Sequence, residues 1–445
     1  MTAKNKLGLF SFTMIVIGLV IGMGIFRTSK DAASAALTPG IFFSAWIVGG
    51  VIALCGALTY AEIGSRYPVT GGYYKVFSYA FHPSIAFALN CSILISNAAS
   101  ISGVALIGAG YISKVLIGPE AANWIKVVIA MSAIFIFYGV NMLGLVMSAR
   151  TQTVLMLIKI GMVLLVIMAL FFPSAYDPAP SSLVTKEISW KDWITSFGVC
   201  LIAVSFTYGG YQQTINFGTD VDNAKRNIPR SIFIGITIII LLYLAANFAY
   251  YKIIGFNNMK SASEIASVVV GKMFGPNGAN AFSLLLFLSV LAYVNGSMLS
   301  NPRVMYAMSE DGVLPAFLKK KSQTKEVLVA SLTVFALACM IVLFFADTFE
   351  KILSFSIFLD SFGMCTSAAT IFMLRKRTKH LEGTGIYKMK LFPLQPLVFI
   401  AAYIFVCVSI MFNTPMIALT GTGVLVGFMI IYFLTVGRNK QLSQS

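Results

Sequence analysis

Charge is what this sequence has least of. Asp, Glu, Lys and Arg make up 11% of its 445 residues and 58% are hydrophobic, whereas a soluble domain is about 25% charged. So few charges cannot cover a water-facing surface, and a disordered chain needs low hydrophobicity and high charge. Only two His are present, which excludes a His-rich metal centre. Six cysteines (Cys55, Cys91, Cys200, Cys339, Cys365, Cys407) all fall in apolar runs without a CxxC pair. They read as small apolar fillers, not as a disulfide framework or zinc site. There is no P-loop, no GxSxG and no HExxH, so ATP-driven transport and hydrolase chemistry lack residues to carry them. No catalytic residue, metal ligand or cofactor is expected. What remains is an all-α polytopic membrane protein, with a mean hydropathy of +0.86.

Acidic residues are also scarce, 16 against 32 basic, for a net charge of +16. In a soluble protein that excess would suggest a nucleic-acid partner. Here the basic residues sit between apolar runs and report topology, so no nucleic acid is expected. A span needs about 20 mainly apolar residues. Twelve segments qualify, roughly 10–27, 41–62, 84–113, 122–142, 151–173, 195–219, 231–255, 280–307, 326–346, 351–374, 391–412 and 415–437. Lys4 and Lys6 precede the first run without a convincing cleavage site, which predicts an uncleaved first helix. An even number of spans puts both termini on one side. With both termini cytoplasmic, inside segments hold 21 Lys+Arg and outside segments ten, which orients the chain by the positive-inside rule. The expected location is a bacterial inner (plasma) membrane.

Two spans contain glycine clusters that a continuous helix would not favour, since each Gly costs a helix interior about 1 kcal/mol relative to Ala. The first reads Gly18-Leu-Val-Ile-Gly22-Met23-Gly24-Ile25-Phe26, and the sixth Ser205-Phe206-Thr207-Tyr208-Gly209-Gly210-Tyr211-Gln212. Unwound backbone at membrane depth is tolerated only where it lines a cavity or is buried in protein. Interrupted segments at corresponding places in two halves point to a transporter's binding site. Spans one and six are equivalent in an inverted five-plus-five repeat, with first and second copies at 1–173 and 195–375 and two accessory helices at 391–437. A half-helix N-terminus attracts an anion, and free carbonyls at a half-helix C-terminus accept from a cation. Crossed breaks would then hold a small zwitterion. Its carboxylate would meet N–H groups around Ile21, Gly22, Met23, Gly24 and Ile25, and its ammonium would meet carbonyls near Phe206, Thr207, Tyr208, Gly209 and Gly210. The glycines also suit close helix packing, and Gly18 and Gly22 have the small-xxx-small spacing.

The same residues resemble a known family. Gly22-Met23-Gly24-Ile25-Phe26 is similar to the Gly-Ser-Gly-Ile-Phe of amino-acid permeases in the amino acid–polyamine–organocation superfamily. Ala61-Glu62-Ile63-Gly64-Ser65-Arg66-Tyr67-Pro68 followed by Gly71-Gly72-Tyr73-Tyr74 resembles its segment after the second helix, and Asn223-Ala224-Lys225-Arg226-Asn227-Ile228-Pro229-Arg230 its loop after the sixth. Arg303-Val304-Met305-Tyr306-Ala307-Met308 with Asp311-Gly312 resembles the end of its eighth. These motifs run in order over about two-thirds of the chain. The resemblance implies a LeuT-type fold, ten core helices in an inverted repeat plus two. It also implies transport of an amino acid or amine by alternating access, with the proton as a coupling ion or with exchange. A departure is Met23, where the family has a small or hydroxyl residue, so a hydroxyl that helps hold a carboxylate is missing.

Lys159 lies in the fifth span, about 13 Å along the helix axis from Arg150 at 1.5 Å per residue. An intramembrane ionisable group is a functional candidate by default, although a lysine stem can also snorkel to the interface. Asn141, Gly144, Gln152 and Lys159 match the pattern of sodium-independent relatives, which implies that the Lys159 ammonium stands where sodium-coupled relatives bind a cation. Asp360, near the middle of the tenth span, would pair with a cation, relay protons or bind a basic substrate group, or be hydrogen-bonded to a neighbour. Asn97, Ser100, Ser102, Asn295 and Ser297 are candidates for substrate contact or interhelical glue. Tyr208 and Tyr211 are candidate gates. Lys319-Lys320-Lys321 reads as a topology signal and a contact for anionic membrane lipid. The competing readings are a polyamine or organic-cation antiporter and a non-transporting receptor that keeps the fold.

Overall fold

The computed structural model describes residues 6–22, 24–118, 122–173, 189–262, 264–322, 327–344 and 349–437, with side chains in the last stretch over 357–435. Among them there is no β-strand. Fifteen helices follow one another: α1 (Leu9–Val20), α2 (Gly24–Ala35), α3 (Pro39–Arg66), α4 (Gly72–Ala80), α5 (Pro83–Leu116), α6 (Asn123–Met142), α7 (Leu145–Met168), α8 (Trp190–Tyr208), α9 (Ala224–Ile254), α10 (Phe256–Ser261), α11 (Ile265–Glu310), α12 (Val329–Phe344), α13 (Phe349–Arg377), α14 (Leu394–Asn413) and α15 (Pro415–Tyr432). Eleven segments are long and apolar enough to cross a membrane, counting α1 with α2 as one and α8 with the turn after it as one. The apolar α12, 16 described residues, is the twelfth.

Local chemistry sets the helix boundaries. Thr38 accepts from the Ile41 N–H at 3.2 Å and Pro39 opens α3, where a missing N–H is no loss. Ser189 caps α8 in the same way through the Asp192 N–H. α11 is two helices across a kink at Gly275, whose φ of +72° is non-helical. The short α4 lies between the second and third spans, and its apolar face of Tyr73, Val76 and Phe77 is buried.

Two helix groups form. α1 packs on α9, α2 on α8, and α3 on both α8 and α9. α5 packs on α6, α11 and α12, with α6 against α12. Within these groups α2–α8, α3–α9, α5–α11 and α6–α12 are contacting pairs that stand five spans apart. Small residues permit the central approach. A Cβ on Gly108 of α5 would sit 2.7 Å from a Val290 methyl of α11. The outer face is apolar, with Trp124, Phe171, Phe412 and Met416 at 69%, 86%, 85% and 70% exposure. That is a surface for lipid, not water.

Candidate functional site

α1 stops at Val20 because Ile21 turns to an extended conformation, and the Gly22 N–H bonds the Val20 carbonyl at 2.8 Å in place of a helical partner. Helix resumes at Gly24. α8 stops at Tyr208, where the Gly209 N–H reaches the Phe206 carbonyl at 3.2 Å, and a 3-10 turn follows over Tyr211–Asn216. Gln212 accepts the Gly210 N–H through Oε1 at 2.8 Å.

The breaks touch at two points, and glycine is needed at each. Gly210 has φ +112°, which L side chains rarely adopt, and a Cβ there would collide with the Leu19 carbonyl oxygen. A Cβ on Gly24 would sit 2.7 Å from Thr207 Cγ2 and 2.9 Å from its Oγ1. Between the breaks lies a cavity of about 90 Å³, room for several water-sized groups at about 10–15 Å³ each. Gly22, Gly24, Phe206, Thr207, Gly209 and Gly210 form part of its wall. The first-turn N–H groups of a helix such as α2 lack helical partners, as do the last carbonyls of α8, of which that of Phe206 accepts the Gly209 N–H with one of its two lone pairs. Asn97 and Ser100 of α5, Tyr293 of α11, Asp360 and Ser361 of α13 and Tyr403 of α14 also line it.

Lys159 is fully buried, and its Nζ donates to the Ile21 carbonyl at the open end of α1. The rest of the fifth-span pattern is a clasp. Asn141 Nδ2 donates to Asn295 Oδ1 at 3.0 Å, and Asn295 Nδ2 donates to Gln152 Oε1 at 2.7 Å and to the Ser148 carbonyl at 3.1 Å. Asn295 thus ties α6 and α7 to α11. It does not line the cavity, and neither does Ser297, buried on the same helix. Ile21 and Ile25 are behind the wall, occupied by Lys159 in the one case and by Ser29 Oγ at 2.9 Å and Tyr250 Oη at 3.4 Å in the other. Tyr208 points into an aromatic cluster with Trp46 and Tyr243, at 5.8 and 5.2 Å between ring centroids, and Tyr211 packs on Tyr60. Neither lines the cavity. Met23 lies outside the described residues. Arg27, Thr28, Asp31, Gln212, Gln213, Tyr293 and Tyr403 line the cavity without having been singled out. The first three follow the glycine motif by one helical turn or two, a signal that helical phase would have exposed.

The side of the cavity toward the N-terminus is sealed. Leu7 pairs with Val221, its N–H on the Asp220 carbonyl at 2.8 Å and its carbonyl taking the Asp222 N–H at 3.0 Å. Arg303 bonds Asp220 at 2.7 Å and lies 4.4 Å over the Phe217 ring. Further out, Glu62 is fully buried between Arg66 at 2.6 Å and Arg375 at 2.8 and 2.7 Å, and it also accepts the Met389 N–H at 2.8 Å.

Two interrupted helices crossing over an internal cavity inside a lipid-facing bundle define a membrane permease of the broken-helix, LeuT-like class. The chain belongs to the amino acid permease family, whose profile matches residues 7–436. It is similar to the serine/threonine exchanger SteT of Bacillus subtilis (strain 168), 26% identical over 95% of this chain and 94% of that one. It is also similar to the cystine/glutamate transporter of Homo sapiens, 28% identical over 79% and 70% of the two chains. The Asc-type amino acid transporter 1 of Mus musculus is 24% identical over 97% and 81%.

Proposed function

We propose that the chain is a sodium-independent carrier of small amino acids or close analogues, working by alternating access as an exchanger or with a proton. The observation that carries this reading is the contact of the two breaks around one cavity. It places a helix N-terminus and a helix C-terminus, of opposite partial charge, on a common space. The substrate carboxylate meets the α2 end at Gly22–Gly24, and the ammonium meets the α8 carbonyls at Phe206–Thr207. The sequence has Met and no hydroxyl at position 23, so the carboxylate rests on backbone donors.

Lys159 acts as a fixed cation on the Ile21 carbonyl, doing electrostatically what a bound sodium ion would do. A similar protein named as a serine/threonine exchanger supports small polar substrates and exchange. Residues 1–173 and 195–375 form the two inverted repeats, with 391–437 accessory. Both termini are cytoplasmic, by the basic-residue excess on that side. The Asp220–Arg303 pair and the Leu7–Val221 bridge then close the cytoplasmic exit, and the cavity belongs to the outward-facing half of the cycle. Anionic lipid contacts the cytoplasmic Lys319-Lys320-Lys321 run. Asp360 on the cavity wall favours a second reading, in which the cargo carries an additional positive charge.

The test is uptake of labelled amino acids into liposomes containing the purified chain, with sodium and a pH gradient varied separately. Uptake that persists without sodium, driven by internal amino acid or by protons, supports the reading. Strict sodium dependence defeats the role given to Lys159, and binding without flux makes the chain a receptor.

A further inference from the structure

A second, smaller cavity of about 10 Å³ adjoins the first and shares Asn97, Gln212, Gln213 and Asp360 with it. Its remaining polar wall is Asn90, Asn216, Asn301 and Tyr73. The volume suits one water-sized group, since a water needs about 10–15 Å³. The wall is unusual in what it has left over. All four asparagine amide nitrogens are already donating: Asn90 to the Ala86 carbonyl at 2.8 Å, Asn97 to Asn301 Oδ1 at 2.6 Å, Asn216 to Ser300 Oγ at 3.0 Å and Asn301 to the Ser297 carbonyl at 2.9 Å. The oxygens are not all taken. Asn90 Oδ1 and Gln213 Oε1 are buried without a hydrogen-bond partner, on residues 0% and 8% exposed. Among the described residues the Asp360 carboxylate receives one long contact, 3.5 Å from Ser96 Oγ.

A buried acceptor without a donor costs about 1–3 kcal/mol, so two unpartnered oxygens beside the Asp360 carboxylate call for a guest that donates. Water can donate to both oxygens but leaves the Asp360 charge without a counterpart. An ammonium brings three donors, no acceptor, a water-like size and a charge that the Asp360 carboxylate neutralises. If the breaks in the neighbouring cavity grip the α-carboxylate and α-ammonium, a side chain would leave through the wall that the two cavities share at Asn97, Gln212, Gln213 and Asp360.

We infer that the inner chamber formed by Asn90, Gln213 and Asp360 is a subsite for a side-chain ammonium, so that the carrier prefers amino acids bearing a second amine at the end of a short chain. This rests on the reading of the outer cavity as the α-amino-acid site. It makes Asn90, which does not line the outer cavity, a specificity-determining residue.

The experiment is competition for uptake by the full chain in liposomes, using pairs that differ only by ammonium against methyl: 2,4-diaminobutyrate against norvaline, and ornithine against norleucine. The expected result is a preference of tenfold or more for the diamino member of at least one pair. Asn90→Leu reduces that preference about tenfold, as loss of one hydrogen bond to a charged group implies, and Asn90→Asp increases it. If norvaline and norleucine compete as well as their diamino partners, the chamber assignment fails while the permease reading stands. If no α-amino acid competes at all, the permease reading fails and takes the chamber with it. Thermal stabilisation by sodium, potassium or ammonium chloride alone, lost in Asn90→Leu, would show a site for a free cation and overturn the assignment to substrate.

Discussion

Replacing Lys159 by Met separates what this residue does for folding from what it does for transport. Among the described residues Lys159 has one acceptor, the Ile21 carbonyl, and no carboxylate within ion-pair distance. A hydrogen bond from a charged donor contributes about 1.5–3 kcal/mol. Removing an ammonium from water still costs several kcal/mol after relaxation. The desolvation cost is at least as large as the gain, so the charge does not stabilise the fold. Met has nearly the same length and no charge. Lys159→Met forfeits the hydrogen bond and leaves the Ile21 carbonyl bare, but it also removes the desolvation cost. The expected outcome is an unfolding temperature unchanged or raised, with uptake reduced at least a hundredfold because the open end of α1 has lost its fixed cation. Thermal unfolding of the purified variant and uptake into liposomes give the two readings. A variant that unfolds several degrees lower while transporting normally would refute the reasoning, because Lys159 would then be a structural donor and nothing more.

Other perturbations follow from single contacts. Gly210→Ala combines backbone strain of about 1–3 kcal/mol at a positive φ with a Cβ against the Leu19 carbonyl, and uptake should fall more than tenfold in the liposome assay. Glu62→Gln keeps the shape but strands Arg66 and Arg375 around a neutral amide. Breaking a buried pair costs about 3–5 kcal/mol, which should appear as a clear drop in unfolding temperature, whereas no drop would make the pair dispensable. Arg303→Lys loses the guanidinium stack over Phe217, a contact of about 0.5–2 kcal/mol. With the N-terminal seal loosened, a thiol reagent applied from that side should label a Ser300→Cys variant faster in this background.

The breaks were legible because they are written in glycine, the residue whose absence of Cβ the geometry demands at Gly24 and Gly210. Lys159 was legible because a charge inside an apolar run has few explanations. Phase around the helix was harder to read. Tyr208 is adjacent to the break, yet as the last residue of α8 it faces Trp46 and Tyr243 rather than the cavity. Asn295 suited either a substrate contact or a tie between helices, and its side-chain carbonyl and amide go to Asn141, Ser148 and Gln152. Gln213 and Asn90 could not have been picked out. What marks them is an oxygen left without a donor, a property of packing between helices far apart in the chain. The short α4 was missed because nine residues, too few to span a bilayer, leave no membrane signal.

The central claim is that peptide groups at the two interruptions hold both charged ends of a small dipolar molecule. Equilibrium binding to the purified chain tests it when one labelled amino acid is compared with two analogues, the amine lacking its carboxylate and the acid lacking its amine. Each deletion should weaken binding at least a hundredfold, about 2.7 kcal/mol at 1.36 kcal/mol per tenfold. An analogue without the carboxylate or without the amine that binds as tightly as the parent would contradict it.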